Sequence, residues 1–165
     1  MIFVTVGTHE QPFDRLVSFM DRWAREHDEE VVIQTGYSAV QPEHCSWKPF
    51  FSYSEMLQYV QQADTVITHG GPSSFVMALQ AGKTPIVVPR QARYREHVND
   101  HQLDFCRSFT GRSDMILVAE EMDDLERLLA RSPAERAIAS VFPSHHDAFM
   151  QEFQKLADEL TEDRT

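Results

Sequence analysis

The chain has 165 residues, a formal net charge of −11, 42% hydrophobic and 25% charged residues, proportions that suit one globular domain spanning 1–165. The acidic balance speaks against nucleic acid and against direct attachment to an anionic membrane face. No apolar run approaches the roughly 20 residues needed to cross a bilayer. Two cysteines, Cys45 and Cys106, suit a reducing cytoplasm and no disulfide framework.

Residues 2–6 form a β-branched apolar run, read as a buried first strand and not a signal peptide. The turn at Gly7 and Thr8 follows, with Pro12 suited to a first helical turn. Phe13, Leu16, Val17, Met20 and Trp23 then recur at helical spacing. Residues 30–35 read as a second strand and 48–53 as a third, with Ser52 or Ser54 capping a helix through Ala63. A fourth strand at 65–68 enters the loop 69–74, and a helix over 75–81 stops at Gly82. A fifth strand at 85–89 leads into a polar segment, then a helix over 97–109 with Val98, Leu103 and Phe105 among its apolar positions. A last strand is expected at 115–118, a helix at 122–130, breaks at Pro133 and Pro143, and a final helix at about 146–160. That final helix carries Phe149, Phe153, Leu156 and Leu160 on one side, for packing on the sheet or for docking a partner. Strand–helix alternation of this kind implies an α/β domain with a mainly parallel, Rossmann-like sheet. Ligands of such sheets bind at the carboxyl ends of the strands, where both glycine turns lie.

Gly70 and Gly71 permit close approach of the backbone, Ser73 or Ser74 can cap the following helix, and its N-terminus then forms an anion site suited to phosphate. An ordinary tight turn is the alternative. Arg90, Arg93 and Arg95 cluster after the fifth strand, either as a solvated loop or as anion contacts, with Arg90 placed to pair with a diphosphate. His9 can deprotonate an acceptor hydroxyl, orient the diphosphate or cap a turn, and His69 takes a structural or phosphate-side role. His97 and His101, four apart with Asp100 between them, resemble an inverted zinc-hydrolase motif, but no glutamate base or third ligand is evident, so no metal is expected.

Three stretches carry a resemblance. They are 4–17, VTVGTHEQPFDRLV; 68–74, THGGPSS; and 82–90, GKTPIVVPR, continuing through EHVNDHQ at 96–102. In this order they resemble the C-terminal domain of glycosyltransferase family 28. The likeness extends to its stand-alone half-enzymes, the small catalytic subunits of bacterial exopolysaccharide and capsule transferases and of the eukaryotic transferase that adds the second N-acetylglucosamine to a dolichol-linked precursor.

The resemblance implies one half of a two-domain (B-type) glycosyltransferase that binds a UDP-sugar. The diphosphate then sits at His69, Gly70, Gly71, Pro72, Ser73 and Ser74, beside Gly7 and Thr8, and Glu96, His97, Asp100 and Gln102 reach the sugar. Many relatives hold the ribose hydroxyls with a glutamate where this chain has Met77; Gln80 is the candidate substitute. The implied reaction is inverting and metal-independent transfer to a lipid-linked saccharide acceptor, with His9 as candidate base and no cofactor. A membrane-bound partner subunit is expected to supply the other wall of the cleft and to hold the chain at the cytoplasmic membrane face. A non-catalytic nucleotide-sugar-binding subunit or sensor is the alternative.

Overall fold

The computed structural model describes residues 1–110 and 114–136, with positions 151 and 155 besides. The final helix expected at about 146–160 therefore lies outside the described residues, those two positions excepted. Six strands, β1 (Ile2–Thr5), β2 (Val31–Gln34), β3 (Ser46–Lys48), β4 (Thr65–His69), β5 (Ile86–Val88) and β6 (Leu117–Val118), form one sheet. The order is β3-β2-β1-β4-β5-β6 and every pairing is parallel. Ile2 pairs with Val31 on one side and Thr65 on the other. Chain order therefore reverses between β1 and β4, and a crevice opens there at the carboxyl edge.

Both faces of the sheet are buried, which explains the continuous apolar runs. Ile2 and Val4 face α1 (Asp14–Glu26) and α5 (Met122–Leu129), packing among Leu16, Val17, Met20, Leu125 and Leu129. The intervening Phe3 faces the other layer, with Val60 of α2 (Tyr53–Gln62) and Ala78 of α3 (Pro72–Gln80). Phe75 and Leu79 of α3 meet Val87 and α4 (His101–Thr110) through Phe105 and Phe109. No helix among the described residues is long and apolar enough to cross a membrane.

The expected boundaries shift most at three places, each for a local reason. The third strand ends at Lys48 instead of spanning 48–53, because Pro49 has no N–H to give the ladder. The helix after β4 begins at Pro72, with Gly71 as its N-cap and no side-chain cap bond, so neither Ser73 nor Ser74 caps it. Pro72 takes the first helical position, where a missing N–H costs nothing. The helix expected over 97–109 begins at His101; Arg95 adopts a left-handed conformation (φ 59°) and 95–100 form a compact loop that leaves Val98 75% exposed. His97 thus lies outside α4 and does not share a helical face with His101. Pro133, expected as a breaker, opens the short α6 (Pro133–Arg136).

Ser52 does cap α2, in a reciprocal box: its hydroxyl accepts the Glu55 N–H (3.3 Å) and the Glu55 carboxylate accepts the Ser52 N–H (2.7 Å). Ser52→Ala should lower stability by about 1 kcal/mol, seen as a reduced urea midpoint with unchanged slope. No shift in that midpoint would mean the box contributes nothing.

Candidate donor-binding site

A cavity of about 720 Å³ opens at the carboxyl edge between the ends of β1 and β4. From the β1 side come Thr5, Gly7, Thr8 and His9; from α3 come Ser73, Ser74 and Met77. Phe51, Tyr53 and Met56, at and before the start of α2, form an apolar wall, and His69 and Gln102 complete the floor. Gln34 holds that wall in place: its carboxamide donates to Thr5 Oγ1 (3.1 Å) and accepts the Phe51 N–H (3.0 Å). Among the described lining residues none is Asp, Glu, Lys or Arg. An anion here would be held by neutral donors and by the positive end of α3.

Those donors are fewer than the glycine turn suggests. Pro72 has no N–H, Ser74 N–H is bonded to Gly71 O (3.0 Å), and Gly70 N–H is bonded to Gln102 Oε1 (3.1 Å). The Gly71 and Ser73 amides and the hydroxyls of Ser73 and Ser74 remain as donors at this helix end. Gln102 Oε1 also accepts the Arg90 N–H (3.0 Å), so one carboxamide clamps the ends of β4 and β5. Both partners are donors, which assigns the oxygen to this side of the amide and turns its NH₂ away from them.

The glycines serve the interior as well as any ligand. A Cβ on Gly71 would stand 2.3 Å from His69 Nε2, and one on Gly7 (φ 78°) 2.4 Å from His69 Cε1. A Cβ on Gly70 would stand 2.8 Å from Gln102 Cβ. The His69 ring is thus wedged between two glycines, 8% exposed, and its Nδ1 has no hydrogen-bond partner. Burial first, then the neighbouring Arg90 charge, His9 and His97, push its pKa down to about 3, against a smaller opposing pull from the Thr5 main chain. It is a neutral imidazole at physiological pH, and a substitution at Gly71 tests packing before it tests binding.

Several expected ligand contacts are committed elsewhere. Arg90, expected at the diphosphate, is fully buried and spends its guanidinium on carbonyl oxygens of Val6 (2.7 Å), Gln11 (2.7 Å), Pro12 (3.4 Å) and Glu96 (3.1 Å). Glu96, expected at the sugar, is 3% exposed and accepts both Nε (2.7 Å) and Nη2 (2.9 Å) of Arg15, together with the Gln91 N–H (3.1 Å). Asp100 accepts the Ala92 N–H (2.8 Å). Gln80, the expected substitute for a ribose carboxylate, is exposed and lies outside the cavity, whereas Met77 lines it. His97 is not part of the lining either, but its ring stacks on His9 with centroids 4.7 Å apart.

Of the expected site residues, Gly7, Thr8, His9, His69, Ser73, Ser74 and Gln102 line this one cavity, whereas Gly70, Gly71 and Pro72 do not. Phe51, Tyr53 and Met56 were missed because they were absorbed into an expected strand and helix. The signal that could have found them is the Pro49 break followed by the Ser52–Glu55 capping pair, which puts Phe51 in a loop at the carboxyl edge.

Residues 1–160 match the family model described as the glycosyltransferase family 28 C-terminal domain. Over 117 residues the chain is 32% identical to the UDP-N-acetylglucosamine transferase subunit ALG13 of Homo sapiens, an alignment covering 64% of this chain and 10% of that protein. Similar solved structures include the glycosyltransferase SnogD from Streptomyces nogalater, at 18% identity and TM-score 0.47, covering 98% of this chain and 39% of that one. The calicheamicin glycosyltransferase CalG4 is similar at 12% identity and TM-score 0.47, covering 97% and 38%.

Proposed function

The chain belongs to the glycosyltransferase family 28 C-terminal domain family, and from that premise we propose that it transfers a sugar from a UDP-sugar to a lipid-linked saccharide in exopolysaccharide or capsule assembly. The observation that carries the reading is the cavity: a helix N-terminus with two serine hydroxyls opens into it, and an apolar wall of Phe51, Tyr53 and Met56 faces it. A nucleoside diphosphate has the matching halves, a doubly charged group for the helix end and a flat base for the wall. The sugar then extends toward Thr8, His9 and Gln102, the polar side of the same cavity.

Transfer proceeds with inversion. The acceptor oxygen bonds to the anomeric carbon from the face opposite the diphosphate, its proton passes to His9, and the bond to the phosphate oxygen breaks with its electron pair leaving on UDP. Charge growing on that oxygen is stabilised by the α3 dipole, the Ser73 amide and the two hydroxyls, without an obligatory metal. A relative named as a transferase subunit supports a partner chain, which in this reading is membrane-bound. That partner supplies the acceptor wall and holds this acidic chain at the cytoplasmic face of the inner membrane.

Calorimetric titration with UDP and UDP-sugars tests the donor site. The double substitution Ser73→Ala and Ser74→Ala should weaken UDP binding by roughly 100-fold or more, since hydrogen bonds to charged groups contribute about 1.5–3 kcal/mol each and both are removed. The unliganded melting temperature should hold, because neither hydroxyl caps α3. Equal UDP affinity in the two proteins would remove the diphosphate from this helix. Nucleotide-sugar binding without UDP release in the presence of the partner would instead identify a non-catalytic binding subunit.

A further inference from the structure

The two loops that meet over the cavity are tied by a single buried side chain. Arg90 donates to Val6 O and Gln11 O in the loop after β1 and to Glu96 O in the loop after β5. One histidine from each loop is thereby laid face to face, His9 on His97, with 15° between the ring planes. Each ring is also held at one nitrogen. His9 Nε2 lies 2.9 Å from Gln11 Oε1, and His97 Nδ1 accepts the Asn99 N–H at 3.3 Å. The Gln11 carboxamide is placed with its oxygen toward the ring, and an oxygen so placed only accepts, which puts the hydrogen of the His9–Gln11 bond on Nε2. In neutral His9 this leaves Nδ1 bare, as the nitrogen that faces an incoming proton.

We propose that Gln11 is a positioning residue that fixes His9 as the Nε2–H tautomer, with the His97 ring as its backstop, so that His9 accepts the acceptor-hydroxyl proton at Nδ1. Gln11 is suited to this because its main chain is itself immobilised: its carbonyl is one of the short Arg90 bonds, at 2.7 Å. The role of Nδ1 rests on the transferase reading of the cavity, whereas the tautomer and its cause belong to the free protein. A hydrogen-bonded ring N–H exchanges with water more slowly than a free one, and its nitrogen is distinguished from a bare one by long-range proton–nitrogen correlation.

The experiment is therefore nitrogen-resolved NMR of the histidine rings in the full chain without ligand at pH 7.5, with His9→Gln used to assign the signals. The wild type should show a direct His9 Nε2–H resonance and a bare Nδ1. Gln11→Ala should lose that resonance to solvent exchange, while the backbone amide spectrum outside the loop after β1 stays in place. Gln11→Glu, which keeps an acceptor oxygen, should restore it. A wild-type His9 that is protonated at Nδ1, averages between tautomers or lacks the resonance overturns the proposal, as does a resonance that survives Gln11→Ala. Failure of UDP to bind the same wild-type sample counts separately, against the transferase reading and hence the use of Nδ1, and leaves the tautomer result standing.

Discussion

Arg90→Met is expected to lower the stability of the protein by about 3–5 kcal/mol, the largest single-residue effect anticipated. The side chain is completely buried, and its two terminal nitrogens serve four carbonyl oxygens from three points of the chain. Methionine keeps much of the stem and its contact with the Phe13 ring, over which the guanidinium sits at 4.8 Å. It supplies no donor, so the bonds to the buried Val6 and Glu96 oxygens are lost, at roughly 1–3 kcal/mol each. Arg90→Lys should recover only part of the loss, because one ammonium cannot reproduce the planar fork that reaches Val6 O and Gln11 O together. Burial draws the Arg90 pKa down to about 10, against the opposing pull of Glu96, so the wild-type side chain remains charged at neutral pH. Urea unfolding of the three proteins at pH 7.5 measures the series. A Met variant within 1 kcal/mol of wild type would mean that water replaces the guanidinium at those carbonyls without loss.

Arg90 also shows where a linear sequence stops being informative. An arginine just past a strand end is the same three letters whether it is solvated, bound to a ligand or spent on main-chain carbonyls. Only the three-dimensional convergence of Val6, Gln11 and Glu96 distinguishes these cases. The parallel sheet was legible because both of its faces are buried and its strands are therefore continuous β-branched runs such as 31–34 and 65–69. The glycine turns were legible as places without side chains, but what needs the space at Gly7 and Gly71 is the His69 ring, a contact between residues 62 positions apart in one case. Glu96 was equally opaque, since its partner Arg15 lies 81 positions earlier. The apolar wall failed for the opposite reason: Phe50 and Phe51 look like a strand, and Pro49 decides otherwise. The cavity was thus located by local patterns, while the division of its neighbours into ligand contacts and supports was set by long-range pairing.

Stability should fall by about 2 kcal/mol between pH 7 and pH 5 through His69 alone. In the unfolded chain this histidine titrates near the ordinary value of 6.5, whereas in the native protein it does so at about 3. Above pH 6.5 neither state binds the proton and the residue confers no pH dependence. Between 6.5 and 3 the unfolded state takes up a proton that the native state refuses, so each pH unit in that window removes about 1.4 kcal/mol of stability. Below about 3 both states are protonated and the loss ends. Other groups act lower on the scale. The carboxyl of Asp64 is held below its ordinary 3.8 by its bond to the N-terminal ammonium, and that of Glu120 below 4.5 by its bond to Arg107, so their contributions are lost chiefly beneath pH 5. His69 is one of 8 histidines in the chain, so its imidazole is isolated by the difference between wild-type and His69→Gln urea midpoints, measured from pH 7.5 to 5 in half-unit steps. His69→Gln, which puts a neutral amide between Gly7 and Gly71, should be less stable at pH 7.5 because the ring's packing is lost. Its midpoints should nevertheless fall by less than those of the wild type down to pH 5, the difference amounting to about 2 kcal/mol of stability. A wild-type profile no steeper than that of His69→Gln would show that the ring is reached by water or finds a proton acceptor in the native state, and the tight wedge between the two glycines would have to be redrawn.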